Sequence, residues 1–166
     1  MLPDDVYCSR CSGTLEARVI DGVERPACST CEKVIYHDPK VSAVAVVEHD
    51  GKVLMVQRAL EPGIGLWSLP GGYVDRGEVV ERAVEREVAE ETSLEIEATD
   101  LLAVSSEPGN QVILISYDSR FIGGELKGGP EVSDASFFDP SDLPPLAFPR
   151  DRQILETWKN RRDGKR

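Results

Sequence analysis

No apolar run in this chain is long enough to cross a bilayer. The longest, VSAVAVV at Val41–Val47, spans seven residues, against the roughly 20 a membrane helix needs. The opening MLPDDVYCSR lacks a basic segment followed by an apolar one, so no secretion signal is read there and the cytoplasm is the expected location. Positive charge is also scarce: 19 Lys and Arg stand against 30 Asp and Glu, a net charge of −11. Such a surface repels nucleic-acid backbones and anionic membranes, so a phosphate-bearing ligand needs metal ions or a few placed arginines. The basic tail KNRRDGKR is read as a solvated helix end. Repeats and low-complexity segments are absent. What remains is a 166-residue chain, 40% hydrophobic and 30% charged, enough for one domain with a core and a small appendage.

Cysteine is absent beyond residue 31. The four present form two Cys-x-x-Cys turns, Cys8/Cys11 and Cys28/Cys31, separated by 16 residues. Two such turns complete a tetrahedron of thiolates around one Zn²⁺. A disulfide framework suits a reducing compartment poorly, and no βαβ unit frames a redox motif. The intervening SGTLEARVIDGVERPA reads as two short strands with a turn at Asp21–Gly22. Residues 1–37 are therefore expected to be a zinc ribbon with structural zinc and no chemistry, His37 being a turn residue. The ribbon has no basic excess and only Tyr7 for stacking, which favours a scaffold over a nucleic-acid module.

Residues 38–166 mix strands and helices without βαβ alternation, an α+β pattern with helices packed on a mixed sheet. VSAVAVVE and VLMVQR read as strands joined at His49–Lys52. The loop Ala59–Tyr73 carries four glycines and two prolines and is a candidate functional loop. A helix is expected from Gly77 to about Thr92, with Val80, Val84 and Val88 as its apolar stripe. LEIEA, LLAVSS, QVILISYDSRF and ASFF read as further strands, and a last helix begins near Arg150 with Ile154, Leu155 and Trp158 on one face.

Six glutamates crowd between Glu78 and Glu91. Glu87, Glu90 and Glu91 stand at i, i+3 and i+4, so their carboxylates share a face and repel. They also lie towards the helix C-terminus, where the macrodipole disfavours anions. Arg86 offers some relief, and Glu81 and Glu85 read as ordinary solvated acids. The sharper reading of the triplet is a divalent-metal site: Mg²⁺ or Mn²⁺ prefers carboxylate oxygens and is held together with substrate phosphates.

Gly72, Glu78, Arg86, Glu87, Val88, Glu90, Glu91 and Leu94 reproduce the spacing of the Nudix signature at every specified position but one. Ser93 stands where the pattern has glycine, at the helix end. From Val41 to Trp158 the chain resembles Nudix hydrolases, which cleave a nucleoside diphosphate linked to another moiety by water attack on phosphorus. The resemblance implies an α/β/α sandwich behind the ribbon. Glu87 and Glu91 would be the main metal ligands, and Glu90 a ligand or the group that orients the attacking water. The Gly71 carbonyl would complete the shell. Arg86 would hold a catalytic glutamate, and Glu78 would anchor the loop to the helix. A further carboxylate comes from a later loop in many members. Glu131 is the candidate, with Glu107 and Glu125 behind it.

A ribbon ahead of such a domain resembles NADH pyrophosphatases, yet the proline-rich run those carry after the motif is missing here. YHDPK, GLWSLPGGY and LPPLAF look closer to FAD and ADP-ribose pyrophosphatases. The expected substrate is thus a small ADP-containing dinucleotide, cleaved to AMP and the partner phosphate. Arg58 is the candidate phosphate contact, with Tyr73 and Phe148 as candidate walls for the bound moiety. Trp67 reads as core. NADH hydrolysis, clean-up of nucleoside triphosphates, and a non-hydrolytic nucleotide sensor are the alternatives. Nucleic acid and membranes are not expected as partners, and the resemblance implies a homodimer.

Overall fold

In the computed structural model, which describes residues 6–164, Asp21 and Gly22 both take positive φ, 52° and 78°. They turn strand β1 (Leu15–Ile20) back onto β2 (Val23–Cys28) as a two-stranded antiparallel sheet. The described residues divide after Asp38 into two compact units, and this hairpin belongs to the first.

The second unit is built on β3 (Lys40–His49), β4 (Lys52–Arg58), β5 (Trp67–Ser68), β6 (Gly71–Tyr73), α1 (Val80–Thr92), β7 (Leu94–Ser105), β8 (Val112–Gly124), β9 (Val132–Phe138) and α2 (Pro149–Arg162). The sheet runs β5-β4-β3-β8-β7, with β6 added to β3 and β9 to β4. Only β3 and β8 are parallel, so the sheet is mixed. VSAVAVV is almost wholly apolar because both faces of β3 are covered. Successive side chains alternate sides: Ala43, Ala45 and Val47 pack with Val84 and Val88 of α1, whereas Val44 and Val46 pack with Ile154, Leu155 and Trp158 of α2. This is the expected α/β/α sandwich. Trp67 packs on the α2 side, edge-on to Phe138 at 4.7 Å.

Some boundaries depart from the sequence reading. α1 starts at Val80 rather than Gly77, because Gly77 sits at φ 86°, outside the helical region. LEIEA and LLAVSS are one strand: β7 skips Thr99 in its pairing with β8, and the Thr99 hydroxyl donates to the Asp118 carbonyl. A bulge of this kind absorbs an extra residue without ending the strand. The tail is not merely solvated. Arg161 donates to the carbonyls of Leu101 and Leu102, and Arg162 to Glu48. The residues read for a secretion signal at 1–5, and the last two of the basic tail, lie outside the described residues. No helix among the described residues is long and apolar enough to cross a membrane.

Ser93 ends α1 in the left-handed conformation, φ 59° and ψ 17°, so the cap a glycine would make is kept. Left-handed backbone costs a non-glycine residue about 1–2 kcal/mol, and the greater freedom of unfolded glycine offsets about 0.4–1 kcal/mol of that. Ser93→Gly is therefore expected to stabilise the protein by about 0.5–1 kcal/mol, raising Tm by about 1–4 °C. Calorimetry showing an unchanged or lower Tm would contradict this account of the cap.

Candidate metal-dependent active site

The loop after β5 reaches the site by adding β6 to the edge of β3. Val44 pairs with Gly71 and Ala43 with Gly72, and the Ser42 hydroxyl donates to the Gly72 carbonyl at 2.9 Å. A Cβ on Gly72 would lie 2.4 Å from the Glu87 carboxylate, so any side chain there would push that carboxylate out of its place beside Arg86. The Gly71 N–H donates to Glu91 Oε2 at 2.8 Å, tying loop to helix.

Arg86 organises the remaining acids. It donates to Glu78 through Nε and a terminal nitrogen at 2.9 and 3.0 Å, to Glu87 at 2.9 Å and to Glu90 at 3.3 Å, and to the Tyr73 carbonyl at 3.1 Å. Glu78 also accepts from the Asp75 N–H, and the Arg86 guanidinium beside it pulls its carboxyl down to about 2. It therefore stays ionised and locks loop to helix. Glu81 and Glu85 are not the idle acids the spacing suggested. Glu81 accepts from the Tyr117 hydroxyl, and Glu85 from Arg82 and the Ala98 N–H. Both pin α1 to the sheet.

The loop before β9 brings in Glu131. Lys127 and Gly129 donate their N–H groups to the Thr92 and Glu91 carbonyls at 2.9 and 2.8 Å. They thereby satisfy carbonyls that the end of a helix leaves open. A Cβ on Gly129 would lie 2.0 Å from the Glu90 carbonyl, so this docking needs glycine there. The Glu131 carbonyl then accepts from the Ala59 N–H at 3.2 Å.

These elements line one cavity of about 550 Å³. Gly71, Gly72, Glu87, Glu90, Glu91 and Glu131 form its acidic side; Arg58, Leu60, Tyr73 and Val132 stand among the rest of its lining. Arg58 donates to the Pro62 carbonyl and lies over the Phe148 ring at 5.2 Å. Phe148 is not in the lining; it precedes α2 between Arg58 and Arg150. Glu107 faces a different cavity, and Glu125 is in neither lining. Leu60, Pro130 and Val132, the first residue of β9, are cavity residues the sequence reading missed, since isolated apolar residues beside loops carry no signal.

The acidic side is electrostatically unsatisfied on its own. Burial pushes the Glu91 carboxyl up to about 8; the Gly71 N–H and Arg58 oppose the rise, while Glu87 and Glu131 add to it. Glu87 is also raised, by burial first and then by Glu90 and Glu131, against the pull of Arg86. Half-buried carboxylates that share one cavity and raise one another's pKa are oxygen donors of the kind a hard divalent cation takes.

The cysteines meet a similar test. Cys8 N–H bonds the Gly13 carbonyl and Ser12 N–H that of Cys8; Cys28 with Lys33 and Glu32 repeats the pattern, so two like turns face each other. All four Sγ atoms lie within 4.8 Å of one another, Cys8–Cys31 at 3.7 Å and Cys11–Cys28 at 3.5 Å. A tetrahedron with Zn–S bonds of 2.3 Å has edges of about 3.8 Å. N–H groups of Cys31 and Thr30 draw Cys28 down to about 6. Cys11 is pushed up to about 12: the Gly13 N–H favours its thiolate, but the Cys31 and Cys28 thiols outweigh it. Four thiolates this close need a cation, and the cluster fits a zinc ribbon.

The NUDIX domain model matches residues 37–158. An ADP-ribose pyrophosphatase of Methanocaldococcus jannaschii is 42% identical over 132 residues, covering 76% of this chain and 78% of the relative. The NAD-capped RNA hydrolase NudC of Stutzerimonas stutzeri is 29% identical over 163 residues; the match takes in 96% of this chain but only 58% of the length of NudC. The crystal structure of a NUDIX hydrolase from Nitrosomonas europaea superposes with a TM-score of 0.89 at 27% identity, covering 96% of this chain and 93% of that one.

Proposed function

The chain belongs to the Nudix family of hydrolases, and from that premise we propose that it hydrolyses the pyrophosphate of an ADP-containing dinucleotide, ADP-ribose or FAD, to AMP and the partner phosphate. The observation that carries this reading is the single cavity in which Glu87, Glu90, Glu91 and Glu131 stand together with Arg58. Water adds to one phosphorus as the P–O–P bridge breaks. The bridging oxygen leaves with one phosphate, giving ribose 5-phosphate from ADP-ribose or FMN from FAD. Glu87, Glu91, Glu90 and the Gly71 carbonyl would hold Mg²⁺ or Mn²⁺, which would neutralise charge at the phosphate oxygens and make water a better nucleophile.

The chain's own groups do the remainder. Arg86 fixes the rotamers of Glu87 and Glu90, and the Gly71 N–H fixes Glu91. Glu131, in the same lining, would accept a proton from water. Arg58, in the lining of the same cavity, supplies positive charge for a phosphate oxygen, while Tyr73 and Leu60 offer surface to the base or sugar. Phe148 acts through Arg58, whose guanidinium it supports. Residues 1–37 serve as a scaffold around structural zinc, and residues 38–166 carry the reaction. The relative named as an ADP-ribose pyrophosphatase favours ADP-ribose over FAD.

A substrate carrying an NAD moiety, represented here by NADH, is the second reading, favoured by the match to an NAD-capped RNA hydrolase over 96% of the chain. A substrate panel separates the two: purified protein, Mg²⁺, and separately ADP-ribose, FAD, NADH, Ap₄A and dGTP, with products resolved chromatographically. AMP is expected fastest from ADP-ribose. Fastest release from NADH would put the second reading first. Saturable binding without product from any of the five would sink the hydrolase reading in favour of a sensor.

A further inference from the structure

Asp151 is a buried carboxylate that the reaction just described does not use. It is the third residue of α2 and only 2% exposed. An acid there commonly faces the open N–H groups of its own helix. This one instead accepts from the Leu69 N–H at 3.1 Å, 82 positions away in the chain.

The surrounding backbone explains the arrangement. Trp67 pairs in parallel with Leu146: its N–H donates to the Pro145 carbonyl and its carbonyl accepts from Ala147 N–H. In a parallel ladder the next bond would run from Leu69 N–H to the Ala147 carbonyl. The chain turns into α2 just there, and the Asp151 carboxylate takes the place of the missing carbonyl. Leu69 is itself 2% exposed, so its N–H has no route to water without this partner. Beyond it, the Pro70 carbonyl accepts from Ala45 N–H at 3.0 Å and the Gly71 N–H donates to Glu91. Three consecutive residues are thus pinned to α2, β3 and α1 in turn. Burial pushes the Asp151 carboxyl up to about 6, against the Leu69 N–H and the charges of Arg150 and Arg58.

We propose that Asp151 is a positioning residue for the reaction: through Leu69 it sets where Gly71 stands against Glu91. The proposal rests on the hydrolase reading above. It is tested with Asp151→Asn, which keeps an oxygen acceptor, and Asp151→Ala, which removes it, both assayed on ADP-ribose with Mg²⁺ well below their Tm. The alanine variant is expected to lose about tenfold or more in kcat with KM held within about twofold, and the asparagine variant to stay within about threefold of wild type. Exchange of the Leu69 amide is expected to accelerate in the alanine variant alone. A lower Tm with unchanged kcat, or equal losses in both variants, would overturn the proposal. If the alanine variant does not fold, Asp151→Glu replaces it; there too kcat should fall with KM kept, and unchanged kcat overturns the idea. If the wild type hydrolyses none of the five compounds, the hydrolase reading fails separately. Mn²⁺ affinity then decides: weakened in the alanine but not the asparagine variant it supports the positioning role, and equal in all three it overturns it.

Discussion

Glu91→Gln is expected to lower kcat for AMP release from ADP-ribose on the order of 10³-fold. Charge stabilisation by a bound divalent ion is worth several kcal/mol in the transition state, and each 1.36 kcal/mol is about tenfold in rate. Glutamine keeps the volume and the acceptor for the Gly71 N–H, so the loop stays docked while the anionic ligand is lost. KM should change far less than kcat. A variant within tenfold of wild type would remove Glu91 from the metal set and leave Glu87, Glu90 and Glu131 to account for the site.

The same substitution carries a stability signature with a definite sign. The Glu91 carboxyl is raised from 4.5 to about 8 in the folded, magnesium-free protein. Its contribution is therefore fully present below about pH 4.5 and is lost as pH rises through 8. At about 1.4 kcal/mol per pKa unit the loss amounts to several kcal/mol. Without added Mg²⁺ or Mn²⁺, and with zinc left in place, Glu91→Gln should exceed the wild type in Tm by a margin that widens from pH 5 to pH 8. Adding Mg²⁺ should narrow that margin, because the wild type binds the ion more tightly than the variant. A margin constant with pH would mean that Glu91 is already ionised without metal.

The acidic triplet was legible in the sequence because helical spacing is local. Three glutamates at i, i+3 and i+4 share a face wherever the helix packs, and Arg86 at the centre of the motif meets Glu78, Glu87 and Glu90 within one turn or loop of itself. The strands around Val41–Val47 were legible for a similar reason, since a run apolar on both faces has to be covered on both. Glu131 was a choice among loop acids; nothing within its own segment says that Gly129 packs on the Glu90 carbonyl. Asp151 was silent. An aspartate after Phe-Pro reads as an ordinary helix-start acid, and its partner at Leu69 is fixed only when β5 meets the 145–147 segment. Glu81 and Glu85 misled in the opposite direction, because acids on a helix surface look solvated until the sheet offers them Tyr117 and the Ala98 N–H.

Removal of zinc is expected to unfold the ribbon. Its two strands are of six residues each, and between residues 6 and 38 only Cys8, Pro26, Ala27 and Cys28 are buried. So little apolar burial cannot offset the entropy of ordering some thirty residues, at roughly 1 kcal/mol or more for each backbone. Structural zinc contributes about 10–16 kcal/mol in comparable small sites, far more than any single contact within the hairpin supplies. Cys28→Ser is the sharpest variant, because Cys28 is fully buried and its sulfur accepts from the Thr30 and Cys31 N–H groups. Zinc content measured by atomic absorption should fall from one ion per chain to near none. Amide protection in Leu15–Ile20 and Val23–Cys28 should collapse while that of Lys40–His49 persists. Affinity for zinc should also weaken as pH falls, since each cysteine binds as a thiolate. Protection in β1 and β2 that survives both the substitution and the loss of zinc would show that the hairpin folds without metal, and the thiol cluster would then need another explanation.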